Sequence, residues 1–118
     1  MIYLDNAATT AVRPEVVDAM LPYYRTNYSN PSGVYGFAGK NKNVISDARD
    51  VIASVINAKG DEIYFTSGGS ESDNWALKGI AWAYRNKGRH IITTKIEHHA
   101  ILHSCEWLEK EGYDITYI

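Results

Sequence analysis

The sequence predicts an α/β fold organised on a parallel sheet. Three observations predict it. From residue 62 onward, short β-branched runs alternate with longer segments whose apolar residues recur every three or four positions. The links between them are short and marked by glycine. Hydrophobic residues make up 45% of the 118 and charged residues 22%, which is a globular composition and excludes disorder.

Ile2-Tyr3-Leu4 is a short apolar run entering Asp5-Asn6, predicting a strand that leads into a turn. Pro14 suits the first turn of a helix over about 14–24, with Val16, Val17, Met20 and Leu21 as its apolar stripe. Tyr28 to Gly33 is turn chemistry and predicts a loop. A second helix is expected over 36–58, with Val44, Ile45, Ala48, Val51, Ile52, Val55 and Ile56 on one face and Gly60-Asp61 breaking it. Then come a strand over 62–66, a turn at Ser67-Gly68-Gly69, and a helix over 70–86 with Trp75, Ala76, Leu77, Ile80, Ala81 and Tyr84 inward. A strand over 90–96, a helix over 98–111 ended by Gly112, and a strand over 114–118 complete the order. Such a βαβαβ order implies parallel strands joined by right-handed crossovers. The expected division is 1–60 as an arm with helices and 61–118 as the sheet-bearing part. Because Ile118 falls inside an apolar strand, and parallel sheets are normally flanked by further strands, the expectation is a piece of a longer chain.

A net charge of −2 supplies no field for nucleic acid or anionic membranes. The opening residues lack a secretory signal pattern, and no run approaches a membrane span. The single cysteine, Cys105, cannot close an internal disulfide, so a reducing, cytoplasmic setting is expected. It lies on the apolar stripe with Ile101, Leu102 and Leu108, as a core residue does, and not beside cations as a nucleophile does.

The chemistry concentrates in Thr66-Ser67-Gly68-Gly69-Ser70-Glu71-Ser72-Asp73-Asn74, between a strand and a helix. Gly68 and Gly69 permit positive φ and close approach of backbone to a ligand. Ser70 is expected as the N-cap, with Asp73 completing a capping box. Free N–H groups there, with hydroxyls, suit a phosphate; a well-capped turn without a ligand accounts for the glycines equally well. No Gly-Lys-Ser/Thr ending makes it a P-loop, and the Ser70 block lacks the last glycine of a nucleophile elbow. Glu97-His98-His99-Ala100 follows the next strand, so His98 is expected at the same sheet edge, where it can stack on a flat ring or move a proton, or simply cap its helix. His99 and His103 are one turn apart, but the glutamate of a zinc-hydrolase motif and a third ligand are missing, so no metal centre is expected. Asp5-Asn6-Ala7-Ala8-Thr9-Thr10 suits a close-packed turn.

Taken together, Tyr3 to Thr10, Asn30-Pro31-Ser32, the block 66–74, and His90-Ile91-Ile92-Thr93-Thr94 leading to Glu97-His98 resemble the cysteine desulfurases of the class-V aminotransferase family, in order and spacing along the whole chain. The resemblance implies part of the large domain of a fold-type-I pyridoxal-phosphate (PLP) enzyme, a homodimer that takes sulfur from L-cysteine, leaves alanine, and passes sulfur on to an acceptor protein for iron–sulfur clusters, thiolated RNA or thio-cofactors. Relatives act on selenocysteine or other amino acids. By position, Gly69 and Ser70 would hold the cofactor phosphate, His98 would stack on its ring and shuttle protons, and Asn6 and Ala7 would face the substrate. Two departures stand out: Ser70 replaces a common threonine, keeping the hydroxyl, and Gly33-Val34-Tyr35 replaces a common Ser-x-His. The lysine that carries PLP and the mobile-loop cysteine come later in the family. Lys78, Lys87 and Lys95 do not match that lysine, so these 118 residues alone are expected to be inactive. The alternative is a small α/β module that binds a phosphorylated ligand without catalysis.

Overall fold

The computed structural model describes residues 2–118 and divides into two compact units, the first ending at Tyr64 and the second Phe65–Ile118. In the first unit, Ile2-Tyr3-Leu4 is exposed and forms no strand, since no described residues offer it a ladder; the expected turn follows, with the Ala8 N–H donating to the Asp5 carbonyl at 3.0 Å. Helix α1 spans Pro14–Arg25, its proline in the first turn where no N–H is needed. Its stripe exists but is not core: Val16, Val17 and Met20 are exposed and Leu21 is half-buried.

Helix α2 spans Gly36–Val55. It stops earlier than Gly60 suggested, because Asn57 turns left-handed (φ 56°) and the Ala58 N–H reaches back to the Ala53 carbonyl at 2.9 Å. This is a Schellman cap with asparagine in the role glycine more often takes. The residues it buries are small or polar, namely Ala38, Asn41 and Ala53. The branched face predicted as core is largely exposed, Val51, Val55 and Ile56 most of all. Asn41 anchors the 27–29 loop: its Nδ2 donates to the carbonyls of Asn27 and Ser29 and to the Ser29 hydroxyl. Asn30 Oδ1 then accepts from the Ser32 N–H at 2.9 Å, which forms the turn over Pro31.

The strand expected over 62–66 is absent. Glu62 ends a single 3₁₀ turn, Gly60–Glu62, whose Lys59 N–H donates to the Glu62 carboxylate at 2.7 Å. Ile63 is extended, but the sheet among the described residues consists of two other strands.

The second unit holds them. Its order is α3 (Gly69–Tyr84), β1 (His90–Thr93), α4 (His99–Lys110) and β2 (Asp114–Tyr117). β1 and β2 pair in parallel, His90 opposite Asp114 through Thr93 opposite Tyr117, so the α/β class and the parallel pairing hold, with two strands where three were expected. The core is Ala81, Leu108 and Tyr113, flanked by Leu77, Ile91, Trp107 and Ile115. Of the α3 residues expected inward, only Leu77 and Ala81 turn to this core; Trp75, Ile80 and Tyr84 are exposed. The Tyr113 hydroxyl donates to the Ala81 carbonyl at 2.7 Å, so its polar tip is satisfied inside. Gly112, at φ +84°, takes the left-handed position after α4 and lets the Tyr113 N–H close on the Leu108 carbonyl at 3.1 Å. Trp82 meets Trp107 edge to face at 6.0 Å. Cys105 is fully buried, and burial first, then Glu109 and Glu97, raises its thiol pKa, so it is a packed and unreactive residue.

Candidate functional site

The turn 66–70 is tied by side chains on both sides of its glycines. The Ser67 N–H and the Ser67 hydroxyl both donate to Glu71 Oε2 at 2.7 Å, and Thr66 Oγ1 lies 2.7 Å from Ser72 Oγ. Gly68 is the N-cap of α3, with extended backbone, and its carbonyl accepts the first helical bond from the Ser72 N–H. The structure therefore corrects two expectations. Ser70 sits inside the first turn and is not the cap, and no capping box forms: the carboxylate that ties the turn is Glu71, accepting from Ser67, and not Asp73. Neither glycine takes a left-handed φ. The N–H groups of Gly69, Ser70 and Glu71 precede the first helical donor, Ser72, and have no backbone acceptor among the described residues. A Cβ added at Gly68 or Gly69 would meet nothing within 4 Å, so the space before the turn is open. The Ser70 hydroxyl is exposed and carries no hydrogen bond among the described residues.

His98 is the N-cap of α4, and its Nδ1 accepts from the Ala100 N–H at 3.1 Å. A nitrogen that accepts carries no proton, so the neutral ring holds its proton on Nε2. Next to it, Glu97 accepts from the Thr94 hydroxyl at 3.0 Å. Both helices deliver their C-terminal ends to the edge where the strands begin, α3 into His90 and α4 into Asp114, and they pack along each other. Their first turns, with Ser70 and His98, thus lie toward the other edge, where β1 and β2 end. That edge is where parallel sheets receive ligands.

A phosphate group fits this donor set: unspent N–H groups, one free hydroxyl, and no side chain filling the approach. The aminotransferase class-V family model matches residues 2–118. The chain belongs to the class-V aminotransferase family.

Among other members, it is 57% identical over 117 residues to the cysteine desulfurase IscS of Methanosarcina thermophila, covering 99% of this chain and 29% of that protein. It is 50% identical to the putative cysteine desulfurase IscS 1 of Bacillus subtilis, covering 99% of this chain and 31% of that protein. A solved NifS-like protein superposes with a TM-score of 0.93 at 38% identity, covering 99% of this chain and 32% of its own. SspA in complex with cysteine superposes with a TM-score of 0.91 at 41% identity, over 98% of this chain and 33% of its own. The chain thus spans about 30% of the length of the curated relatives it matches. No helix among the described residues is long and apolar enough to cross a membrane.

Two features of this class-V chain escape a reading by motif alone. Glu71 stands four residues after Ser67, one more than the capping-box spacing, and Thr66 reaches Ser72 across the turn. Donation from the Ser67 N–H, then from its hydroxyl, holds the Glu71 carboxyl below the usual range. A depressed carboxyl pKa stabilises the turn above its ordinary value of about 4.3, and that contribution disappears as pH falls through the lowered value. The Ser67 amide resonance is therefore expected to titrate below about pH 4.3. In Glu71→Gln the titration should vanish, and in Glu71→Ala the Ser67 amide should exchange faster with solvent. An unchanged pH profile in Glu71→Gln would rule the tie out.

Proposed function

We propose that this chain supplies the phosphate-binding turn and the ring-covering histidine of a PLP-dependent cysteine desulfurase, within residues 61–118 as the first part of the cofactor-binding large domain. The reading is supported by the open, donor-rich start of α3 in a chain about half identical to several cysteine desulfurases. The N–H groups of Gly69 and Ser70 and the Ser70 hydroxyl would hold the phosphate. His98 would lie over the pyridine ring. Its Nδ1 stays committed to the Ala100 N–H, which fixes the ring's orientation and leaves Nε2 as the atom that holds or passes a proton. When bound, PLP supplies an electron sink for carbanion chemistry on an amino acid. In the whole protein the substrate is L-cysteine, the product L-alanine, and the sulfur goes to an acceptor protein for iron–sulfur cluster or thio-cofactor synthesis. We place that protein in the cytoplasm as a homodimer.

The test uses pyridoxine 5′-phosphate, which lacks the aldehyde and forms no adducts with stray lysines, against pyridoxine. Calorimetry should show the phosphorylated compound binding and pyridoxine not. Ser70→Ala removes one hydrogen bond to a charged group, worth about 1.5–3 kcal/mol. That is about a 10- to 100-fold loss of affinity. Undiminished binding to Ser70→Ala, or tighter binding of plain nucleotides, would overturn the assignment.

A further inference from the structure

We propose that His99 and His103 form a reversible surface chelate for one divalent transition ion of the copper–nickel–zinc group. The four histidines differ in what their ring nitrogens do. His98 spends Nδ1 on the Ala100 N–H, and His90 holds Nε2 at 2.8 Å from the Thr116 hydroxyl. His99 and His103 make no hydrogen bond and no ion pair among the described residues, and both are exposed. Instead they face each other across one turn of α4, ring centroids 5.5 Å apart and planes within 23°. Each neutral ring carries one lone-pair nitrogen at a time, on either Nδ1 or Nε2, so two metal-binding nitrogens are free on adjacent side chains.

The spacing is pre-set by the fold. The opposite side of α4 is locked into the second unit by Ser104, Cys105 and Leu108, all buried. Ser104 is further fixed by its hydroxyl bond to the Ala100 carbonyl at 2.7 Å. The backbone that carries the two imidazoles therefore pays no ordering cost when both bind one ion, and only two χ angles per ring adjust. Imidazole is a borderline-soft ligand that suits copper, nickel and zinc and disfavours manganese and magnesium. Two protein ligands leave the other coordination positions to water. This is a different object from a structural zinc site or a zinc hydrolase, each of which needs at least three protein ligands, and no group of three or more such ligands occurs among the described residues.

The experiment is calorimetric titration of the untagged chain with Cu²⁺, Ni²⁺ and Mn²⁺ separately at pH 7.5, with histidine ring proton spectra recorded in the presence of Ni²⁺. One ion per chain is expected, tighter for Cu²⁺ than for Ni²⁺ and absent for Mn²⁺. The His99 and His103 resonances should broaden first. His99→Ala and His103→Ala should each weaken Ni²⁺ binding at least about 10- to 100-fold, the scale on which even an outer-shell ligand partner acts. His90→Gln should bind as the parent does. Both alanine positions are exposed, and an unchanged far-ultraviolet dichroism spectrum shows that the variants stay folded. The proposal fails if either alanine variant binds Ni²⁺ as tightly as the parent, or if the His90→Gln loss equals theirs. PLP is not needed for any readout, so the outcome is independent of the cofactor reading.

Discussion

Leu108→Ala is expected to leave the second unit largely unfolded at room temperature. Leu108 is fully buried, and Ala81, Tyr113, Leu77, Ile91, Trp107 and Ile115 gather in the cluster around it. Truncating a leucine in such a place costs about 2–5 kcal/mol, through lost transfer free energy and the cavity left behind. A unit of this size has a total stability of about 3–8 kcal/mol. The loss is thus comparable to the whole. The main-chain bond from the Tyr113 N–H to the Leu108 carbonyl, and the Tyr113 hydroxyl bond to Ala81, close on the same residues, so the helix cap and the core should fail together. Near-ultraviolet dichroism reports the Trp82–Trp107 pair directly and should lose its signal during urea unfolding at a far lower midpoint than in the parent. Ile80→Ala, at a side chain 62% exposed, should shift that midpoint little. Equal midpoints for Leu108→Ala and the parent would show that this cluster is not the core.

The same residues show what could be read from the sequence. Helix α4 was legible from end to end, because its stripe of Ile101, Leu102, Cys105 and Leu108, its start at His98 and its stop at Gly112 all point to one face and one length. Helix α2 was legible in type but not in burial. Periodicity marks an apolar face, whereas burial requires something to pack on it, and Ala38, Asn41 and Ala53 are the residues that have it. The strand expected over 62–66 failed for a related reason: β-branched and aromatic residues favour extended backbone, as Ile63 shows, yet a strand exists only where a neighbouring ladder accepts it. At the candidate site, the donor-rich turn follows from its own glycines and hydroxyls, and the edge toward which Ser70 and His98 lie follows from the α3-β1-α4-β2 order. The Ser67–Glu71 tie did not, because side-chain reach across a turn depends on rotamers that spacing rules do not encode.

The second large effect belongs to the first unit, where Asn41→Asp is expected to be more damaging than Asn41→Ala. Asn41 is 8% exposed, and its amide nitrogen faces acceptors only: the carbonyls of Asn27 and Ser29 and the oxygen of the Ser29 side chain. The Ser29 hydroxyl already donates to the Phe37 carbonyl at 3.1 Å, so it cannot turn to donate to a new partner without giving up that bond. Alanine removes the donor and leaves the Ser29 groups short of a partner, a penalty of about 1–3 kcal/mol. Aspartate is nearly the same size but replaces the donor with a charged acceptor pressed against two carbonyl oxygens. An uncompensated buried charge costs about 3–5 kcal/mol unless it is neutralised or released to water. The least costly escape is for the 27–29 loop to detach from α2, which also breaks the edge-to-face contact of Tyr28 with Phe37. Amide exchange should therefore accelerate at residues 27–33 in Asn41→Asp more than in Asn41→Ala, while the Tyr113 amide in the second unit keeps its protection. Protonating the new carboxyl restores a donor, so the Asn41→Asp defect should shrink as pH is lowered toward 4. A defect equal to that of alanine at neutral pH, or one that does not respond to acid, would mean that the amide is not what holds the loop.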